Sequence, residues 1–188
     1  MRLRSTDHQA HPWRIHDLAS EFKVEDVWGL ETHGGANDFG RLVALFLSSF
    51  DHAPTGPVRV LWATRWKLGE WLRWDKPEAG LGRRVGSLRS RLPADMREGP
   101  AGADPSCLPF VHLYRLENEW AAEIANTTMH GVLHIGWVPV GPDSYQGQMA
   151  VLVKPNGLLG WAYLAAIKPF RHLIYPRWIR RIEREWVS

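Results

Sequence analysis

One cysteine, Cys107, stands in 188 residues. No internal disulfide can form, and a lone thiol among Pro, Ser and Asp offers no paired ligand for a metal. Charge of one sign is also scarce: 23 Lys and Arg against 20 Asp and Glu leave a net +3. The excess comes from arginine-rich patches near Arg83–Arg97 and Arg171–Arg184. A general polyanion binder is usually more basic, so nucleic acid is not an expected partner. Long apolar runs are missing as well. The longest, Leu158 to Ile167, is about half of the ~20 residues that a spanning helix requires. The first 21 residues carry His8, His11, Pro12 and Arg14 among polar neighbours, without the apolar core of a secretory signal. That segment is expected to be mobile, its histidines His8, His11 and His16 solvated, and the protein cytoplasmic. The Gly-rich pieces "LGRRVG" and "HGG" lack both the Lys-Ser/Thr of a phosphate loop and the strand-turn-helix order of a dinucleotide fingerprint. No internal repeat is present.

What the sequence has in excess is tryptophan, 11 residues. Each brings a large apolar area and one N–H that needs a partner, which suits a bulky core and also the wall of a cavity for an apolar ligand. With 45% hydrophobic and 23% charged residues, the chain is sized for a single domain over 1–188.

Periodicity then orders the elements. "EFKVEDVWGL", Glu21 to Leu30, alternates apolar and charged residues as a half-buried strand does. After "THGGAN", Asn37 or Asp38 can cap a helix in which Phe39, Leu42, Val43, Phe46 and Leu47 share one face. "VRVLWATRWKLGEWLRW" reads as a second helix. The Gly-, Pro- and Arg-rich stretch 75–108 reads as an internal linker with a short helix or turn in it. Beyond Pro109 the period becomes two. "FVHLYRLENEWAAEIAN" gives two strands joined at Glu117-Asn118, "HGVLHIGWVPV" a third and "YQGQMAVLVKP" a fourth, an antiparallel meander. One face is expected to be apolar and the other mostly wet. The run from Leu158 onward is the nearest helix to cover the apolar face, with Ile174, Trp178, Ile182 and Trp186 as its buried stripe and the arginines as its solvated back.

Candidate chemistry is sparse. His130 and His134 would share a metal on a helix, but on a strand they stand about 13 Å apart at roughly 3.3 Å per residue. Strand is the expected state, with both imidazoles on the wetter face, so no metal and no cofactor is expected. Glu119 and Glu123 alternate with Trp120, Ala122 and Ile124 and are placed on the outer, solvated face. His112 and Tyr114, on one face with Phe110, are the possible proton-transfer groups. No serine has a nucleophile-elbow context.

The run "PFVHLYRLENEWAAEIANTTMHGVLHIGWVPV", followed by a strand and "LLGWAYLAAIKPFRHLIYPRWIRRI", resembles an uncharacterised bacterial family, domain-of-unknown-function family 2867. "KPFRHLIYPRWIRR", Lys168 to Arg181, is its most telling piece. That family is similar in layout to the helix-grip superfamily of START-like and polyketide-cyclase-like (SRPBCC) proteins. The resemblance implies an α+β fold, a curved antiparallel sheet with two short helices and a long C-terminal helix, and an apolar cavity between sheet and helix. It supplies no catalytic residue. The cavity wall expected on this basis is Trp120, Ile124, Leu133, Ile135, Trp137, Tyr145, Met149, Val151, Trp161 and Leu164, and the expected ligand is an apolar or amphiphilic small molecule. Two alternatives stay open: a cyclase- or dehydratase-like enzyme using that cavity with His112, Tyr114 or Tyr145, and a peripheral membrane or partner-docking module using the basic, aromatic C-terminal helix.

Overall fold

The computed structural model describes residues 1–50, 85–97 and 110–188. The second expected helix and Cys107 lie outside these residues. The fold is α+β, built on a six-stranded antiparallel sheet. Its strands are β1 (Arg2–Leu3), β2 (Lys23–Gly34), β3 (Val111–Arg115), β4 (Glu119–Ala125), β5 (Met129–Gly141) and β6 (Ser144–Pro155). Their order is β1-β2-β6-β5-β4-β3. The meander β3 to β6 follows the period-two pattern of the sequence. The first long strand closes onto the last, with Val24 opposite Leu152 and Trp28 opposite Met149.

Helix α3 (Phe39–Phe50) and helix α5 (Gly157–Val187) cover one face. Trp28, Leu30, Trp120, Ala122, Leu133, Ile135, Trp137 and Met149 pack there against Phe39, Leu42, Phe46, Ile179, Ile182 and Trp186. At ~25 cal/mol per Å², burial of these large side chains is the main driving force on this face. Helix α5 runs unbroken over 31 residues although Pro169 and Pro176 lie inside it. A proline removes the bond to the carbonyl four residues back. For Pro169 that carbonyl belongs to Ala165, and both residues are exposed, so water can replace the missing donor.

The opposite face is not wet. Helices α1 (Ser5–Gln9) and α2 (Arg14–Leu18), a 3-10 turn at Leu88–Arg91 and helix α4 (Ala94–Arg97) lie over it. They bury Trp13, Ile15, Leu18, Leu88, Leu92 and Met96 against Val24, Val27, Val132, Ala150 and Leu152. The sheet is therefore a middle layer, and two expectations change. The N-terminal segment is folded onto the sheet, and part of the stretch read as a linker supplies core residues. The six buried apolar groups that these segments bring offset the entropy of ordering them.

Candidate functional site

The second face carries two carboxylate–imidazole pairs on adjacent strands. Glu119 and Glu123 project from β4, and His134 and His130 answer from β5, each one diagonal step along the ladder. Period two explains why both pairs share a face, since residues four apart on a strand point the same way. Glu119, Glu123, His130 and His134 are all buried, where alternation alone placed them toward solvent. The covering layer makes the difference, and pairing makes the burial tolerable. Each histidine is held by its own glutamate, so the H-x-x-x-H spacing serves two separate carboxylate–imidazole hydrogen bonds.

Glu123 is an anchor. It accepts from His130 Nε2 at 2.8 Å, from Leu88 N–H at 3.1 Å and from Ser87 Oγ, which fixes the start of the 3-10 turn to the sheet. Hydrogen bonds from His130, Ser87 and Leu88 outweigh its burial and hold its carboxyl below the ordinary value.

Glu119 begins a longer chain. Its Oε1 accepts from Arg14 N–H at 2.9 Å, and its Oε2 accepts from Tyr114 Oη at 3.0 Å and from His134 Nε2 at 3.0 Å. His134 Nδ1 then lies 3.1 Å from His8 Nε2. Burial works against the Glu119 carboxylate, but the donors from His134, Arg14 and Tyr114 outweigh it and hold the carboxyl below its ordinary value. An ionised Glu119 fixes the tautomers along the chain: His134 donates from Nε2 and accepts at Nδ1, and His8 donates from Nε2. His8 Nδ1 is left as an unprotonated lone pair, buried and without a hydrogen bond. Burial, then the neighbouring imidazoles of His134, His16 and His11, push His8 from 6.5 to about 2. Burial lowers His134 too, against the pull of Glu119. Burial and the Glu119 charge lift Tyr114 well above 10.

The chain stops beside an open cleft of about 570 Å³. His16 packs edge-on to the His8 ring at 4.9 Å between centroids and contributes to the cleft wall. Trp13, Ala19, Phe22, Val24 and Leu152 form an apolar floor, and Gln9, His11, Asp17 and Ser20 line the remainder. The Trp13 ring lies 5.3 Å from His134 and its Nε1 is buried without a hydrogen bond. Gly136 makes room for that ring, because a Cβ there would sit 2.7 Å from Trp13 Cζ2.

None of the ten residues expected to wall a cavity touches this cleft. Trp120, Leu133, Ile135, Trp137 and Met149 are buried among α3 and α5, with Tyr145 stacked on Trp137 and Val151 packed at the margin. Leu164 joins a small cluster with Val153 and Tyr163. Ile124 is half-buried, and Trp161 is 53% exposed. His112 and Tyr114 do not share a face. A bulge between them sets His112 opposite Ala122 and Tyr114 opposite Ala121, so His112 lies near Trp120 on the α5 side and Tyr114 joins Glu119 on the other. His8, Glu119 and His134, expected to face solvent, are buried members of this polar chain. The signal available was the repeated spacing of Glu119/Glu123 and His130/His134.

Fold and site together define an α+β protein with an antiparallel sheet buried on both faces and a hydrogen-bonded carboxylate–imidazole chain beside a cleft. The chain belongs to the family described as a protein of unknown function (DUF2867), whose model matches residues 18–178. No curated protein and no solved structure matches it. Among the described residues no helix is long and apolar enough to cross a membrane, and no group of His, Cys, Asp and Glu could hold a metal ion.

Proposed function

We propose that the protein binds a small apolar or amphiphilic molecule in the cleft between its N-terminal helices and the sheet. The observation that carries this reading is the buried Tyr114–Glu119–His134–His8 chain, which comes to rest against His16 in the cleft wall. Buried ionisable groups cost free energy and gather where a site needs orientation. The apolar floor would take the body of the ligand, and the imidazoles of His11 and His16 in the cleft lining would orient its polar end. The layout supports the helix-grip likeness: the first long strand pairs with the last, and the C-terminal helix returns over one face. The proposed site, however, lies on the face opposite that helix.

A second reading, proton transfer, draws on the same chain, because its bonds orient a free imidazole lone pair as a general base requires. The magnitude decides against it. A base with a pKa of about 2 is protonated too rarely to work near neutrality, so binding takes precedence. Native mass spectrometry of the purified protein tests the proposal, with Ser20→Trp as a cleft-blocking variant at an exposed position. Expected is a retained small molecule that is lost in the variant. Retention that Ser20→Trp leaves unchanged would move the site elsewhere.

A further inference from the structure

The outward face of α5 changes character halfway along. From Leu158 to Leu173 it presents Leu158 at 88% exposure, Leu159 at 56%, Trp161 at 53%, Phe170 at 44% and Leu173 at 45%. Ala162, Ala165 and Ala166 fill the exposed positions between them. Large side chains exposed in one contiguous stripe, in a protein with two packed faces, mark an interaction surface. Beyond Leu173 the same helix side continues as Arg177, Arg180 and Arg184, all exposed. Among the described residues Arg177 and Arg184 bond to backbone carbonyls of their own helix, and none of the three has an acidic partner. The two glutamates of this stretch are engaged elsewhere. Glu185 pairs with Arg181 at 2.8 Å, and Glu183 accepts from Glu31 N–H at 2.9 Å. Lys168 is exposed within the apolar half, and Lys23 extends over the Trp161 ring at 6.0 Å.

We infer that this face docks on an anionic lipid surface, with the apolar half seated at the boundary between headgroups and acyl chains and the arginine half on the headgroups. Charge complementarity selects this occupant. A second copy laid on the apolar half would leave Arg177, Arg180 and Arg184 without counter-charge, whereas an anionic membrane satisfies both halves at once. The indole of Trp161 beside lysine ammonium groups also suits the interface, where one end is apolar and the other wet. At 1.5 Å per residue the helix is roughly 46 Å long, so both halves can lie along one surface.

The full chain is incubated with phosphatidylcholine vesicles, and with equimolar phosphatidylcholine and phosphatidylglycerol vesicles, at low and high salt, and co-sedimentation is measured. Binding is expected only with phosphatidylglycerol and should weaken with salt. Replacing Arg177, Arg180 and Arg184 by Gln should reduce it about a hundredfold, at roughly fivefold for each surface cation. Leu159→Glu with Phe170→Glu, at exposed positions, should abolish it while circular dichroism stays unchanged. Three results overturn the proposal: no binding to either vesicle, equal binding to both, or a concentration-dependent dimer that those two glutamates disrupt in a protein indifferent to lipid.

Discussion

His8 Nε2 and His134 Nδ1 lie 3.1 Å apart, tying a helix at the start of the chain to the middle of β5 across 126 positions of sequence. Both imidazoles are buried and both are lowered in the fold. The unfolded chain therefore takes up protons before the folded one does. Stability is full above the ordinary histidine value of 6.5 and falls as pH drops below it, by up to ~1.4 kcal/mol per pH unit for His8. Thermal unfolding midpoints should be level above about pH 7 and decline in mild acid. His8→Phe should be less stable at neutral pH, because His134 Nδ1 loses its donor, but its midpoint should fall less steeply with acid.

Glu123 joins the sheet to the segment 85–97 by accepting from Ser87 Oγ and Leu88 N–H, and it also accepts from His130 on β5. Glu123→Ala leaves a buried imidazole and a backbone N–H without their acceptor, a loss on the order of 3–5 kcal/mol. Hydrogen exchange should show amides of residues 85–97 losing protection while those of β5 and β6 keep theirs. Uniform loss across the sheet would mean that the carboxylate supports the whole fold and not this attachment.

The meander was legible in the sequence, because alternation from Phe110 to Pro155 marks each strand and the turns between them. Helices α3 and α5 were legible for the same reason at helical period. Periodicity says which side chains share a face, but not what covers it. Glu119, Glu123, His130 and His134 had the polar pattern of a solvated face, and the layer that buries them comes from pieces of only four or five residues, α1, α2, the turn at Leu88–Arg91 and α4. Such pieces are too short to show a period. The bulge between His112 and Tyr114 was equally silent: one extra residue reverses the parity of β3 and leaves no mark in composition.

Gly136 and Trp13 make a paired test of the cleft floor. Gly136→Ala would place a Cβ 2.7 Å from the Trp13 ring, at a cost of about 1–3 kcal/mol through displacement of the indole. Trp13→Phe shortens the ring and itself loses packing. In the double variant the two costs should add to less than their sum, by at least ~0.5 kcal/mol in a urea-unfolding cycle. Strict additivity would show that the ring does not rest on this glycine.

Asp26 and Arg171 set the sheet against α5 on the other face. The carboxylate is fully buried, with Arg171 Nη1 at 3.4 Å and His172 Nε2 at 3.4 Å. Asp26→Ala leaves the Arg171 guanidinium with Glu25 Oε2 at 3.6 Å as its remaining carboxylate and should destabilise the fold. Arg171→Met leaves the buried carboxylate with the half-exposed Arg2 at 3.6 Å and with His172. Combining the two substitutions should restore part of that loss, since neither charge is then left without the other, and a double variant less stable than either single one would contradict the pairing.

Tyr114 distinguishes polar support from packing on the cleft side. Its hydroxyl donates to Glu119 Oε2 at 3.0 Å, and it is one of the donors that hold the carboxyl below its ordinary 4.5. A carboxylate lowered by folding contributes stability that is present above the unfolded value and is lost as pH falls through the folded one. Tyr114→Phe keeps the ring and removes the donor, so the folded value of Glu119 moves back up toward 4.5. The variant should be about 1.5–3 kcal/mol less stable near neutrality, the range for a hydrogen bond to a charged group. That difference should shrink as acid protonates Glu119 in both proteins. If the hydroxyl served only to fill space, the difference between the two unfolding midpoints would stay constant across the same pH range.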